Sequence, residues 1–539
     1  MRDKTKAIKA LGLFIAFLVV IPVISIFIEF GSYLFVEAFA SSDESRLAQI
    51  SGNLSHFFEF LFFRFVKDTF IVAFFVLIIC YILGVSTAYL VSNYNFYLSR
   101  ILENLLILPL AIPAYILAFV YVGIMDYGAE FETIFGFRID IFNIYGVIFV
   151  LSISLYPYVY LFAKSAFKSE SMAIYEVGKI HGYSEFKIFY KVSIKIAMPS
   201  IIAGLMLVLM EVLSDYGASA YLGVDTFSAG IFKTWYDLGD PYSSSALSAI
   251  LMLCVFALMY IEYKERQKSK FSFNQDISEF IQKRDLSKFK SIIATLYCFI
   301  ILFIGFILPF IWLGYWGLKD YKLFEIDFYI LSLNSLILAG ITGLVTTILA
   351  FILCFVARVS KSSKFSFWIL KASSVGYAIP GAAIGVSLMI AAAFIGEVFD
   401  VAILGISFSV LIFAYVVRFL ATAIYSIDGG FAKIHTSIDE AGYMLRPSYF
   451  ILMLKLYMPL LKQFFLLSFL VVFIDTIKEL PLTRMLSPFS FETLSVKALW
   501  YATDERIYDS ALPSLMIVVL SLFVLIFTHI FIKAKRAKN

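Results

Sequence analysis

Long apolar segments recur along the chain and are separated by shorter polar connections. They lie at about 11–30, 69–91, 104–125, 145–163, 199–221, 245–262, 291–316, 329–357, 368–395, 401–425, 458–476 and 510–532. A helix needs about 20 apolar residues to cross a bilayer. The pattern therefore predicts an all-α, polytopic membrane protein with about twelve transmembrane helices. The first segment is longer than the apolar core of a signal peptide and is predicted to be an uncleaved span.

Lys and Arg are distributed unevenly between alternate connections. With the N-terminus in the cytoplasm, the cytoplasmic connections hold 30 of these residues and the outer ones hold 11. Positive residues concentrate in the cytoplasmic loops of membrane proteins. The count predicts a multi-pass protein of a bacterial inner membrane with both termini in the cytoplasm.

Polar residues, prolines and aromatic residues recur at a separation of about 265 positions. Asp68-Thr69 matches Asn334-Ser335, Pro113 matches Pro380, and Trp235-Tyr236 matches Trp500-Tyr501. Chance alignment of apolar helices does not place such residues in one register, so we predict a tandem duplication. The predicted divisions are a first helix and connection (1–64), domain 1 (65–262), a cytoplasmic linker (263–290), a seventh helix and connection (291–327), domain 2 (328–532) and a cytoplasmic tail (533–539).

The composition argues against enzymatic and nucleic-acid-binding functions. Charged residues make up only 15% of the chain, and no basic stripe follows a polar face. The four cysteines and four histidines are scattered without metal-ligand spacing, so no metal site is assigned. The chain has no phosphate-binding G-x-x-x-x-G-K-[ST] loop and no nucleophile-base constellation. We predict a non-catalytic chain without a cofactor of its own.

Two cytoplasmic connections, one in each predicted half, share a pattern of small residues after an acidic one. The first contains Glu176, Val177, Gly178, Gly182 and Pro199, and the second contains Glu440, Ala441, Gly442 and Pro459. Small residues permit close docking, and a glycine permits a sharp turn between two short helices. The alternative is a pair of ordinary interhelical loops.

These segments resemble the coupling loop of permeases from bacterial ABC importers. That family's pattern is Glu-Ala-Ala, a Gly at the seventh position and a Pro at the end. The first copy departs at Val177-Gly178 and has Lys195 at the place of the first Pro. The second has Gly442 for the second Ala and Arg446 for the Gly. The resemblance implies two tandem type I importer permease domains whose loops dock on an ATPase.

The strings after the fifth and eleventh segments narrow the resemblance. Asp215-Tyr216-Gly217 and Glu479-Leu480-Pro481 resemble fused permeases of ferric-iron importers. This implies one copy of the chain per transporter, two copies of a separate ATPase that bind ATP and Mg²⁺, and a periplasmic binding protein. A fused permease for thiamine or another small solute is an alternative. A secondary transporter of six plus six helices is an alternative from another class.

Four acidic residues lie in or beside apolar segments, where charge is costly and commonly functional. Glu211 and Asp215 are four positions apart, as are Asp475 and Glu479, and the pairs are 264 residues apart. Four positions in a helix share a face. We predict that the pairs line the path of a cation; the alternative is a structural role at the outer helix ends.

Overall fold

A computed structural model describes residues 2–39, 55–126, 130–168, 178–270, 283–319, 326–360, 363–399, 408–444, 448–488 and 491–536. Up to the linker, the α-helices are α1 (Arg2–Phe39), α2 (Phe62–Asn93), α3 (Ser99–Leu105), α4 (Ala114–Met125), α5 (Glu130–Phe135), α6 (Ile144–Lys168), α7 (Glu185–Ile188), α8 (Ile194–Ser214), α9 (Gly217–Tyr221), α10 (Phe227–Phe232) and α11 (Pro241–Lys270). After it come α12 (Lys288–Leu302), α13 (Leu308–Lys319), α14 (Ile326–Val359), α15 (Ser363–Ser373), α16 (Gly381–Phe399), α17 (Phe408–Phe431), α18 (Thr436–Met444), α19 (Tyr449–Ile451), α20 (Met458–Lys478), α21 (Pro481–Leu486), α22 (Leu494–Thr503) and α23 (Ile507–Arg536).

The all-α, polytopic prediction is confirmed, but two of the twelve predicted spans are not continuous helices. Among the described residues, ten helices are long and apolar enough to cross a membrane. The predicted spans 104–125 and 368–395 are instead helix pairs bent by 91° and 100°. The residues before Pro113 and Pro380 have extended backbones, because a following proline disfavours the helical conformation. The total is twelve only if each bent pair counts as one span.

The order of helices in the first half recurs in the second. In each half a long helix (α8 or α20) is followed by two short ones and a final long helix. Equivalent hydroxyls make equivalent contacts: Thr69 Oγ1 accepts from the Phe227 N–H at 2.9 Å, and Ser335 Oγ accepts from the Leu494 N–H at 2.8 Å. The predicted domain boundaries themselves stay a prediction.

The two halves are interleaved. Helix α1 packs against α15 and α16 of the second half, while α13 packs against α4 of the first half as well as α23. The end of the linker also joins the halves. Its strand β2 (Arg284–Asp285) pairs in parallel with β1 (Tyr94–Asn95), and Lys283 Nζ lies 3.0 Å from Glu103 Oε2.

We expect the halves to stay associated when the linker is cut. A protease site introduced within 271–282 would break the chain but leave both the β1–β2 pair and the α1 contacts intact. Affinity purification through one terminus in mild detergent should therefore recover both fragments in about equal amounts, since packed helices hold together in membranes without a covalent link. Recovery of one fragment alone would contradict this, and the uncut protein is the control.

Candidate functional site

A cavity of about 240 Å³ lies between the two halves. The first half contributes the middle of α6, the end of α8 and the break before α4. The second half contributes α17, the end of α20 and the start of α21. Both bends lie at the cavity, since Pro113 at the first bend and Tyr377, three residues before Pro380, line it. All four predicted acidic residues, Glu211, Asp215, Asp475 and Glu479, line it.

The four carboxylates do not share helix faces as predicted. Helices α8 and α20 end at Ser214 and Lys478, and the next residue has an extended backbone, with φ −67° and ψ 121° at Asp215 and φ −68° and ψ 127° at Glu479. The face argument fails because the helix does not continue through the second acid of either pair. Proximity of the four groups comes instead from the tertiary fold.

Asp215 and Glu479 each cap the short helix that follows. Asp215 Oδ2 accepts from the backbone N–H and the hydroxyl of Ser219 at 2.9 and 2.8 Å. Glu479 Oε2 accepts from the Leu482 N–H at 2.9 Å. A side-chain acceptor at this position satisfies an otherwise unpaired helix donor. These two carboxylates therefore have a structural role.

Glu211 and Asp475 are different. Both lie within long helices and line the cavity. In the described part of the chain, neither carboxylate accepts a hydrogen bond or lies within 4.0 Å of a cationic nitrogen. They repel each other, while Lys478 and Arg418 attract both. These are the two carboxylates that remain available to a ligand.

The cavity also holds two cations, and both come from the second half. Lys478 Nζ donates to the Leu110 carbonyl at 2.7 Å, across the interface between halves. Arg418 Nε lies 3.6 Å from Glu479 Oε1. The first-half residues 264 positions earlier are Ser154 and Ser214, so the cations have no counterpart there. Sequence reasoning missed Arg418, although an arginine in the apolar segment 401–425 was a usable signal.

The charges and the donor set limit what this cavity can hold. Its lining has four carboxylates against two cationic side chains, together with the phenols of Tyr158 and Tyr377. The described residues contain no group of three or more His, Cys, Asp or Glu side chains arranged to hold a metal ion. Oxygen groups of this kind suit a hard cation.

Of the first predicted coupling segment, Glu176 and Val177 lie outside the described residues. Gly178 packs against Ile188, whose Cγ1 would lie 3.0 Å from an added Cβ. Gly182 has φ +72°, and the Tyr183 N–H donates to the Gly178 carbonyl at 3.0 Å. This is a helix C-terminal turn that favours glycine. Pro199 lies inside α8.

The second segment repeats part of this arrangement. Gly442 faces Leu452, with 3.0 Å between an added Cβ and Cδ1, and Leu452 is 264 positions after Ile188. Glu440 is exposed, the side chain of Ala441 and residue Arg446 are outside the described residues, and Pro459 begins α20. The neighbouring Asp439 is held by Arg358 Nε at 2.8 Å. In both segments the second short helix runs on into the long helix, giving 30-residue helices.

Comparison with known proteins connects this fold to transport. Residues 80–266 match the family described as binding-protein-dependent transport system inner membrane component. The chain is 24% identical, over 81% of its length and 84% of the relative's, to an Fe(3+)-transport system permease protein of Haemophilus influenzae. It is 28% identical, over 35% of its length and 87% of the relative's, to a Bacillus subtilis protein named "Putative molybdenum transport system permease protein". A ferric transport system permease protein of Actinobacillus pleuropneumoniae is 27% identical over 37% of this chain and 30% of its own length. Residues 80–266 thus match a membrane component of binding-protein-dependent transport systems, and the chain as a whole is a multi-pass membrane protein similar to permeases of such systems.

Proposed function

We propose that this permease moves a hard cation, Fe(III), from the periplasm to the cytoplasm. The observation that carries the proposal is the cavity between the halves, where Glu211 and Asp475 face the space without partners in the described part of the chain. A negative lining lowers the barrier for a desolvating cation. The Haemophilus influenzae relative, which matches most of the chain, is named for Fe(3+) transport.

In the complete transporter, one copy of this chain works with two copies of a separate ATPase and a periplasmic binding protein. The ATPase binds ATP and Mg²⁺, and the segments around Gly182 and Gly442 dock on it. Both chain termini face the cytoplasm, as the distribution of Lys and Arg indicates. Closure of the ATPase moves the coupling segments, and the 30-residue helices that begin in them reach the cavity at Glu211 and Asp475. Each continuous helix would therefore transmit the motion of the docked ATPase to the cavity.

A second candidate is an oxyanion such as molybdate, because Arg418 and Lys478 line the same cavity. Both cations already have partners, Glu479 and the Leu110 carbonyl. Arg418 Nη1 is buried without a hydrogen-bond partner in the described part of the chain and would attract an oxyanion, but the four carboxylates of the lining outnumber the two cations and would repel it. The charge balance therefore favours the cation. Thiamine, which is also cationic, is distinguished only by the transport assay.

Uptake in a deletion strain tests the proposal. We expect loss of this gene to lower labelled iron uptake by at least about tenfold and to leave molybdate uptake unchanged, because a negatively lined path discriminates against an oxyanion. Thiamine uptake should also stay unchanged if iron is the substrate, and this arm of the assay separates the two cations. Iron uptake that is restored by returning the gene should continue in the presence of an uncoupler as long as ATP is maintained, and it should stop when ATP is depleted. A secondary transporter would instead stop when the uncoupler is added. Selective loss of molybdate or thiamine uptake would overturn the iron assignment.

A further inference from the structure

A second cavity, of about 330 Å³, lies beside the first. We call it the outer pocket because, in the proposed orientation, the connection between α8 and α11 that forms it is periplasmic. The first half supplies most of its wall, including Asp225, Lys233 and Arg64, and the second half supplies Arg484. Asp225 is paired with Arg64 at 2.9 Å and with Lys233 at 3.2 Å.

Tyr216 stands between the two cavities. It is the only residue in the described part of the chain that lines both of them. Its side chain is buried, at 6% exposure, and its ring stacks on Phe232 with a centroid distance of 3.8 Å and an interplanar angle of 24°. The Arg484 guanidinium lies over the ring, 5.7 Å from its centroid. The ring of Tyr216 is therefore contacted by Phe232 from the first half and by Arg484 from the second half.

The main chain next to the ring is held in place. An added Cβ at Gly217 would lie 2.7 Å from Tyr115 Cβ and 2.8 Å from Leu480 Cδ2, so the backbone there is in close contact with both halves. The ring itself is held by Phe232 of the same half and by Arg484 of the other half. Arg484 lies on α21, which belongs to the second half, so relative motion of the halves would remove it.

We propose that Tyr216 is a movable partition between the outer pocket and the central cavity, and that Arg484 is the latch that holds it closed. Arg484 has no carboxylate within 4.0 Å in the described part of the chain, so its charge also opposes a cation at this point. The central cavity, in contrast, has an excess of acidic groups. A cation that has passed the partition is therefore attracted inward and repelled from the way back. The direction of passage rests on the proposed function, but the partition itself does not.

Thiol labelling tests the partition without any transported solute. The full-length permease, with Cys80, Cys254, Cys298 and Cys354 replaced, receives a single probe by Ser214→Cys, which lies at the wall of the central cavity. A membrane-impermeant methanethiosulfonate reagent is added to intact spheroplasts and, separately, to inside-out vesicles. We expect Tyr216→Ala to label at least about tenfold faster than the parent from the spheroplast side, because the ring and its stacking are lost.

Three further variants decide the interpretation. Tyr216→Phe keeps the ring and should label like the parent, whereas Arg484→Gln, which removes the latch, should label about threefold faster since a cation–π contact is modest. Tyr145→Ala removes an exposed tyrosine elsewhere, with 77% exposure, and should have no effect. Unchanged labelling in both Tyr216→Ala and Arg484→Gln would overturn the proposal, as would equal acceleration by Tyr145→Ala or acceleration from the vesicle side alone. If Tyr216→Ala does not accumulate, Arg484→Gln alone decides.

Discussion

Replacing Glu211 and Asp475 together by their amides should abolish cation uptake while the amount of permease in the membrane stays normal. The change Glu211→Gln with Asp475→Asn keeps the shape of both side chains and removes the two charges that have no partner in the described part of the chain. We expect uptake of labelled iron to fall by at least about tenfold, since intramembrane carboxylates facing a cavity commonly serve ion passage. Quantitative blotting of the membrane fraction accompanies the uptake measurement.

Asp215 and Glu479 provide the comparison, because changing these carboxylates should reduce stability rather than transport alone. Asp215→Ala removes the acceptor of the Ser219 N–H, a cap worth about 0.5–2 kcal/mol. Glu479→Gln leaves Arg418 buried without its ion-pair partner, and breaking a buried pair costs about 3–5 kcal/mol. Both should lower the thermal stability of the purified protein and its amount in the membrane. If the Glu211→Gln, Asp475→Asn variant transports normally, the carboxylates do not form the path.

The sequence predicts the fold correctly wherever the length of an apolar segment is enough to decide that it forms a membrane-spanning helix. Ten segments long enough to cross a bilayer appear as helices of that kind among the described residues. Hydropathy does not show where a helix changes direction. The segments 104–125 and 368–395 were therefore predicted to be straight spans. A signal for the breaks was present in Pro113 and Pro380, since a proline disfavours the helical conformation at the residue before it, although Pro199 lies inside a continuous helix.

Of the candidate site, the sequence predicts only the acidic residues that occur in both halves. The separation of 264 residues found the four acidic positions, and the structure brings all four to one cavity. Their grouping by helix face was wrong because Asp215 and Glu479 lie beyond the helix ends. A search for repeats also cannot find Arg418, since the first half has Ser154 in its place. The partners of the two cations depend on tertiary contacts, such as that between Lys478 and Leu110, which the sequence does not show.

Distorting the turn at Gly182 should separate ATP hydrolysis from transport. Gly182 has φ +72°, and its turn sets the direction in which the chain enters α7. A β-branched residue in this conformation costs about 1–2 kcal/mol, so in Gly182→Val the turn should open. Asn tolerates the conformation, so Gly182→Asn is the matched control. Neither substitution meets another atom within 4 Å of the added Cβ, which leaves the rest of the fold intact.

We expect Gly182→Val to lower uptake about tenfold while the permease still accumulates, because a tenfold loss corresponds to about 1.4 kcal/mol of docking energy. The partner's ATP hydrolysis should no longer respond to substrate, and Gly182→Asn should behave like the parent. In the second segment, Glu440→Lys reverses an exposed charge and should weaken copurification of the ATPase without altering stability. Its effect should be no larger than that of Gly182→Val, since only the first segment has glycine at the turn. Full substrate-stimulated hydrolysis in both Gly182→Val and Glu440→Lys would show that the ATPase docks elsewhere.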